Sequence, residues 1–160
     1  DDHFLLWHDL EAEREALCKA IPGCKAVYGS QDDDEADRVI ADFKDGRLKY
    51  LAAKPEMLGE GLNFQYHCHK AIMFIDYRFN DKFQAIARIY RFMQQHPVEL
   101  YLVYAESEGE IFKSFMQKWA QHRRYSPQER FVRFAGRGKD DAVDVCQQGR
   151  KVRQTVESYQ

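Results

Sequence analysis

Two arginines, Arg88 and Arg91, stand three residues apart within Gln84-Ala85-Ile86-Ala87-Arg88-Ile89-Tyr90-Arg91-Phe92-Met93-Gln94. On a helix that spacing puts them on one face, with Gln84 one turn earlier on a similar side. Two planar guanidinium groups on one edge suit the neutralisation of charge on a transferring phosphoryl group. Taken alone, the pair fits surface arginines holding carboxylates at least as well, since such pairs are common and of small energetic consequence. Upstream lies a second segment, Gly59-Glu60-Gly61-Leu62-Asn63-Phe64-Gln65. Its glycines let backbone amides approach a ligand closely, and amides near a helix start favour an anion. A plain turn accounts for two glycines about as well.

The elements around these segments must position them. Phe4-Leu5-Leu6-Trp7 is an apolar run too short for a helix and suited to a buried strand. Asp9 stands where a helix N-cap belongs, with Leu10, Leu17 and Ile21 at helical spacing before Pro22-Gly23 ends the helix. Lys25 to Tyr28 reads as a second strand, and Asp34 to Phe43 as a helix with Ala36, Val39, Ile40 and Phe43 on one face. Asp32, Asp33, Asp34 and Glu35 are read as charge at that helix's start rather than as ligands for magnesium. Leu48 to Ala53 is a third strand, Ala71 to Ile75 a fourth and Leu100 to Tyr104 a fifth. Asp81 to Phe92 and Glu108 to Arg123 are expected as helices. Strands alternating with helices predict an α/β fold, a mostly parallel sheet with helices on both faces. Such a sheet places ligands at the C-terminal ends of its strands, where both special segments are expected.

Composition sets the limits. With 160 residues, 44% hydrophobic and 31% charged, the chain is long enough for one packed domain. No apolar run approaches the ~20 residues that cross a bilayer, and no signal peptide is visible, so a cytoplasmic location with no membrane partner is expected. Cys18, Cys24, Cys68 and Cys146 form no C-x-x-C pair, and their scatter suits a reducing compartment. His67-Cys68-His69 is a poor metal site, because neighbours in an extended segment point to opposite faces. No metal ligands are assigned. The formal net charge of −2 hides an asymmetry. The region after Tyr28 is acidic, whereas Arg123, Arg124, Arg130, Arg133, Arg137, Lys139, Arg150, Lys151 and Arg153 make the C-terminal part basic. Ser126-Pro127 breaks the strand–helix pattern, so the division expected is a folded lobe over 1–125 and a helical or irregular basic tail or linker over 126–160. The abrupt start at Asp1-Asp2 reads as a piece of a longer protein.

Taken together, at this order and spacing, the two segments resemble the motifs of superfamily two helicases of the Swi/Snf-like group, especially its phage and prophage relatives. In those, a strand leads into Gly-x-Gly-Leu-Asn-(Leu/Phe)-Gln, a second strand ends in an acid or polar residue, and Gln-Ala-x-x-Arg-x-x-Arg-x-Gly-Gln follows. The matching positions are Gly59 to Gln65, Ile72 to Asp76 and Gln84 to Gln94. The likeness extends over Phe4 to Trp7, Val27-Tyr28-Gly29, Glu99 to Val103 and the helix ending near Trp119. It departs at Met93, where the family has Gly, at Met57, where a small or hydroxylated residue is common, and at Phe79, where Trp is frequent. A glycine position of that kind often needs positive φ, which puts the turn at Met93 under test.

The resemblance implies a RecA-like fold and the C-terminal motor lobe of an ATP-dependent DNA helicase or translocase. Arg88 and Arg91 would then be the catalytic arginines that reach the ATP phosphates across a lobe interface. Gln84 would open the same motif, Gly59, Gly61 and Asn63 would couple nucleotide state to the DNA strand, and Lys54 would be a weaker contact to a DNA phosphate. The chain has no G-x-x-x-x-G-K-[ST] phosphate loop and no D-E-x-x acid pair after an apolar strand. ATP and Mg2+ are therefore expected to be bound mainly by an N-terminal RecA-like lobe of the same protein, and this chain to be inactive without it. The alternatives are a non-catalytic interaction domain of the same fold, and the lobe of an RNA helicase. A lobe that grips backbone rather than base edges does not distinguish RNA from DNA by sequence.

Overall fold

The computed structural model describes residues 2–58, 62–125, 132–135 and 142–143. Among these, seven strands form one sheet. In chain order they are β1 (His3–Trp7), β2 (Cys24–Val27), β3 (Tyr50–Ala53), β4 (Cys68–Phe74), β5 (Val98–Val103), β6 (Val132–Ala135) and β7 (Ala142–Val143). The helices are α1 (Glu11–Ala20), α2 (Asp33–Lys44), α3 (Phe79–Ile86) and α4 (Gly109–Tyr125), with 3-10 turns at Pro55–Met57 and Glu106–Glu108. The strand order is β2-β3-β1-β4-β5-β6-β7. Every pairing is parallel except β6 with β7.

Side-chain alternation along β1 explains the two layers of helices. Leu5 and Trp7 belong to the main core with Leu51, Ala53, Ala71, Met73 and Leu100, covered by Phe43 of α2, Ala85 and Ile86 of α3, and Phe115 and Trp119 of α4. Leu6 points the other way and packs with Ala52 and with Leu17 of α1. Right-handed crossovers demand this division: the step from β1 out to β2 runs opposite to every later step, so α1 alone goes to the second face. Trp7 pairs with Ala53 on one side and Met73 on the other. The C-terminal ends of β1, β3 and β4 are thereby level, forming one edge.

Several boundaries differ from those expected. Asp9 does not cap α1. The cap is Leu10, and the Glu13 carboxylate reaches back to accept from the backbone N–H of Asp9 (2.8 Å) and of Leu10 (3.0 Å), which releases the Asp9 side chain. The acidic run does start α2: Asp32 accepts from Glu35 N (3.2 Å) while Asp33, Asp34 and Glu35 occupy the first turn. α3 stops at Ile86 instead of continuing to Phe92. Tight bonds follow, Arg88 N to Ala85 O and Ile89 N to Ile86 O (both 3.1 Å), which draw Ile89 into the core. Finally, β6 and β7 fall within 126–160, and Val132 is buried where β6 extends the sheet beside β5. Arg130, Arg137, Lys139, Arg150, Lys151 and Arg153 lie outside the described residues.

Candidate functional site

Lys82 is a long cation on the face of α3 that carries Phe79, Phe83 and Ile86, and only 1% of it is exposed. A charge so buried requires partners. It finds them at the level edge of the sheet, pairing with Asp9 just beyond β1 and lying 3.8 Å from Asp76 just beyond β4. Arg78, at the start of α3, closes the cluster by reaching Asp9 (3.0 Å) and Asp76 (2.8 Å). Partial burial works to raise the Asp76 carboxyl, but the backbone N–H and guanidinium of Arg78 and the Lys82 charge outweigh it and hold its pKa below the usual value. The same contacts, Asp76 first, raise Arg78. Two strands and the following helix are thus pinned by four charges.

His8 lies beside this cluster at the end of β1, buried, with neither ring nitrogen hydrogen-bonded. Burial lowers its pKa, and Lys54 adds to that, against the opposing pull of Glu11 and Glu13. Lys54 follows β3 on the same edge and stands 3.8 Å from Glu11. This end of the sheet therefore carries a buried imidazole and, beside it, a partly exposed ammonium.

Leu58, which precedes the first special segment, is buried. Gly59 and Gly61 lie outside the described residues. Phe64 is buried edge-on against Phe43, with ring centroids 5.3 Å apart. That anchor leaves Asn63 half-buried beside the turn after α3, where its Oδ1 accepts a 2.5 Å bond from Arg91 Nη1. Arg91 Nε also donates to Ala87 O (3.1 Å). Gln65, nearly buried, donates to Phe92 O (3.5 Å). The two special segments are thus brought together, 28 residues apart in sequence at the Asn63–Arg91 bond.

Their setting differs from the one expected. Arg88 and Arg91 do not share a regular helix face, because α3 has ended at Ile86. Arg88 is half-buried in the turn, Arg91 is exposed beyond it, and Gln84 is exposed on α3. Gln94 holds the turn shut by donating to Ile89 O (3.0 Å) and to Cys68 O (2.9 Å). Cys68 opens β4, so the second segment runs from the C-terminal edge of the sheet down to the start of that strand. Met93 has φ +75°, the one non-glycine residue with positive φ among the described residues. Met93 thus takes a backbone conformation that glycine adopts freely and methionine adopts with strain. Lys54 is apart from this pair, at the His8 end.

The Asp9–Lys82–Asp76–Arg78 cluster escaped the sequence reading. Its signal was present: a lysine inside the stripe Phe79, Lys82, Phe83, Ile86, and an acid two residues beyond each of two strands. Among the described residues no group of three His, Cys, Asp or Glu could hold a metal ion. The Cys68 thiol is buried and bonds Lys70 O (3.2 Å), with its pKa pushed up to about 12 by burial. No helix among the described residues is long and apolar enough to cross a membrane.

No protein-family model and no curated protein sequence matches the chain. Solved structures do. The C-terminal domain of S. cerevisiae Dbp5, bound to Gle1 and IP6, superposes with a TM-score of 0.62 at 14% identity, over 87% of this chain and 76% of that one. A separate structure of the C-terminal domain of the DEAD-box protein Dbp5 gives 0.57 at 14% identity, over 75% and 71%. The C-terminal part of the Fun30 ATPase domain gives 0.55 at 17% identity, over 71% of this chain. The chain spans 38% of the length of that Fun30 structure. At these identities the likeness is one of fold: the chain has the RecA-like α/β fold of helicase C-terminal lobes.

Proposed function

We propose that this chain is the C-terminal motor lobe of an ATP-dependent DNA helicase or translocase of the Swi/Snf-like or phage type. It would close on an N-terminal RecA-like lobe and supply Arg88 and Arg91 to the phosphates of the nucleotide held there. The observation that carries the reading is the Asn63–Arg91 bond, which joins the two motif segments within a RecA-like lobe. The chain's own residues suit that division of labour. They include guanidinium donors but no phosphate loop, so ATP and Mg2+ would sit mainly on the other lobe. When bound there, the metal would neutralise phosphate charge, and this lobe would add donors where charge develops in the transition state.

Asn63 holds the Arg91 guanidinium in place before closure, so the side chain is preorganised rather than free. Lys54, on the strand edge beside His8, would meet a phosphate of the nucleic-acid strand. Opening and closing of the two lobes would then shift the grip along the strand. The formed turn at Met93 favours a motor over an interaction domain that has lost its function, because the strained backbone of the motif is retained. RNA is the second candidate substrate, since one structural neighbour is a Dbp5 bound to RNA and ADP BeF3.

The test uses the two-lobe protein. Arg88→Ala and Arg91→Ala should each lower nucleic-acid-stimulated ATP hydrolysis by ~10³-fold while leaving the protein folded and its nucleic-acid affinity nearly unchanged, Arg91→Ala also losing the small stability of its bond to Asn63. Lysine at either position should restore little, because an ammonium lacks the planar fork. The isolated chain should show no turnover. Near wild-type rates in both alanine variants would remove the motor reading. Stimulation by single-stranded DNA compared with RNA separates the two substrates.

A further inference from the structure

Cys18 and Cys24 sit at the two ends of the connection from α1 to β2, and their sulfurs lie 3.7 Å apart. Both are half-buried free thiols. They flank the small core on the second face, beside Leu17 and Ile21 of the α1 end and Ala26 of β2. Nothing in the proposed motor chemistry uses them, since they lie on the opposite face of the sheet from α3 and its arginine turn.

We infer that Cys18 and Cys24 are a dithiol pair that closes to an intramolecular disulfide, stapling α1 to the edge strand β2. A disulfide sulfur pair is ~2.05 Å apart, so the thiols must approach by roughly 1.7 Å, within reach of side-chain rotation and a small shift of the connecting turn. That turn can give. Gly23 within it has φ +80°, and a side chain there would meet nothing within 4 Å.

The reaction is an exchange with a low-molecular-weight disulfide, R–S–S–R. The Cys18 thiolate attacks one sulfur, forming Cys18–S–S–R and releasing one thiolate, RS−. The Cys24 thiolate then attacks the Cys18 sulfur and releases the second. Together the two cysteines lose two protons and two electrons, and the small disulfide is reduced to two thiols. Burial, then the hydrogen bond and charge of Cys18, push the Cys24 thiol up to about 12, and the balance is the same whichever of the two sulfurs attacks first.

β2 ends the sheet, paired on one side with β3. A cross-link there restrains the edge strand most prone to detach. The experiment exposes the full 160-residue chain to mixtures of oxidised and reduced glutathione, alkylates the remaining thiols, and maps peptides by mass spectrometry. The expected product is a Cys18–Cys24 cross-linked peptide, with the protein lighter by two hydrogen atoms, no retained glutathione there, and a Tm raised by roughly 5 °C. Cys18→Ser and Cys24→Ser should each abolish the cross-link and the Tm rise. A folded, oxidised wild-type chain whose Cys18 and Cys24 carry only glutathione adducts, or bond to Cys146 or another molecule, overturns the proposal. The wild-type map decides this even where a serine variant fails to fold.

Discussion

Met93 carries a cost that its neighbours impose. With φ at +75° its side chain crowds the following carbonyl, a conformation that costs an L-residue about 1–2 kcal/mol. The strain persists because both sides of the turn are tied. Asn63 holds Arg91 before it, and Gln94 bonds two backbone carbonyls after it. Met93→Gly should therefore raise stability by about 1 kcal/mol, the relief of strain exceeding the added freedom of the unfolded chain. Met93→Val should lower it, since a β-branched residue fits positive φ worst. Chemical denaturation of the three proteins measures both. Equal stability of glycine and methionine would mean that the turn is not strained.

At the scale of elements, the question is what holds α3 where its arginine turn meets Asn63. Apolar burial of Ala85, Ile86 and Ile89 holds one end, and the buried Lys82 holds the other by its bonds to Asp9 and Asp76. Lys82→Ala removes the cation and leaves two partly buried carboxylates with only Arg78 to neutralise them. A loss of about 3 kcal/mol is expected, as for a buried pair deprived of one partner. Lys82→Met combined with Asp9→Asn should recover much of it, because both the charge and its uncompensated partner are gone. Denaturant midpoints provide the measurement, and a Lys82→Ala loss under 1 kcal/mol would make the cluster ornamental to the fold.

The whole molecule adds two further expectations. β6 lies beside β5 through the register Val98 with Val132, and Val132 is buried. A chain ending at Tyr125 should expose β5 as a new edge, melt at lower temperature and aggregate more readily than one ending after β7. Equal melting temperatures would support a lobe boundary at Tyr125. The second expectation concerns pH. Burial lowers the pKa of His8 and of His69 below the ordinary 6.5. The unfolded chain thus takes up protons that the folded one refuses, so this part of the stability is full above pH 6.5 and falls as pH drops below it. Asp76 is depressed below 3.8, so its contribution is present above that pH and lost on further acidification. Melting temperature should decline in two stages on acidification. His8→Leu should shrink the first stage and leave the share that belongs to His69.

The alternation of short apolar runs with amphipathic stretches determined the parallel sheet, because strand and helix periods are local properties of the chain. All five expected strands are present, and the acidic start of α2 follows from local capping chemistry. The pattern of Arg88, Arg91 and Asn63 was legible as a candidate site for the same reason: it is a matter of residue type and spacing. Tertiary structure decided the rest. Where α3 ends depends on Ile89 entering the core and on Gln94 reaching a carbonyl 26 residues earlier, neither of which spacing encodes. Asp9 could have capped its own helix until Glu13 took that role and a lysine 73 residues away took the carboxylate. The membership of β6 in the sheet likewise rests on pairing with β5 across the whole of α4. Long-range partners are chosen by burial and charge compensation in three dimensions, between residues that meet only as the chain folds.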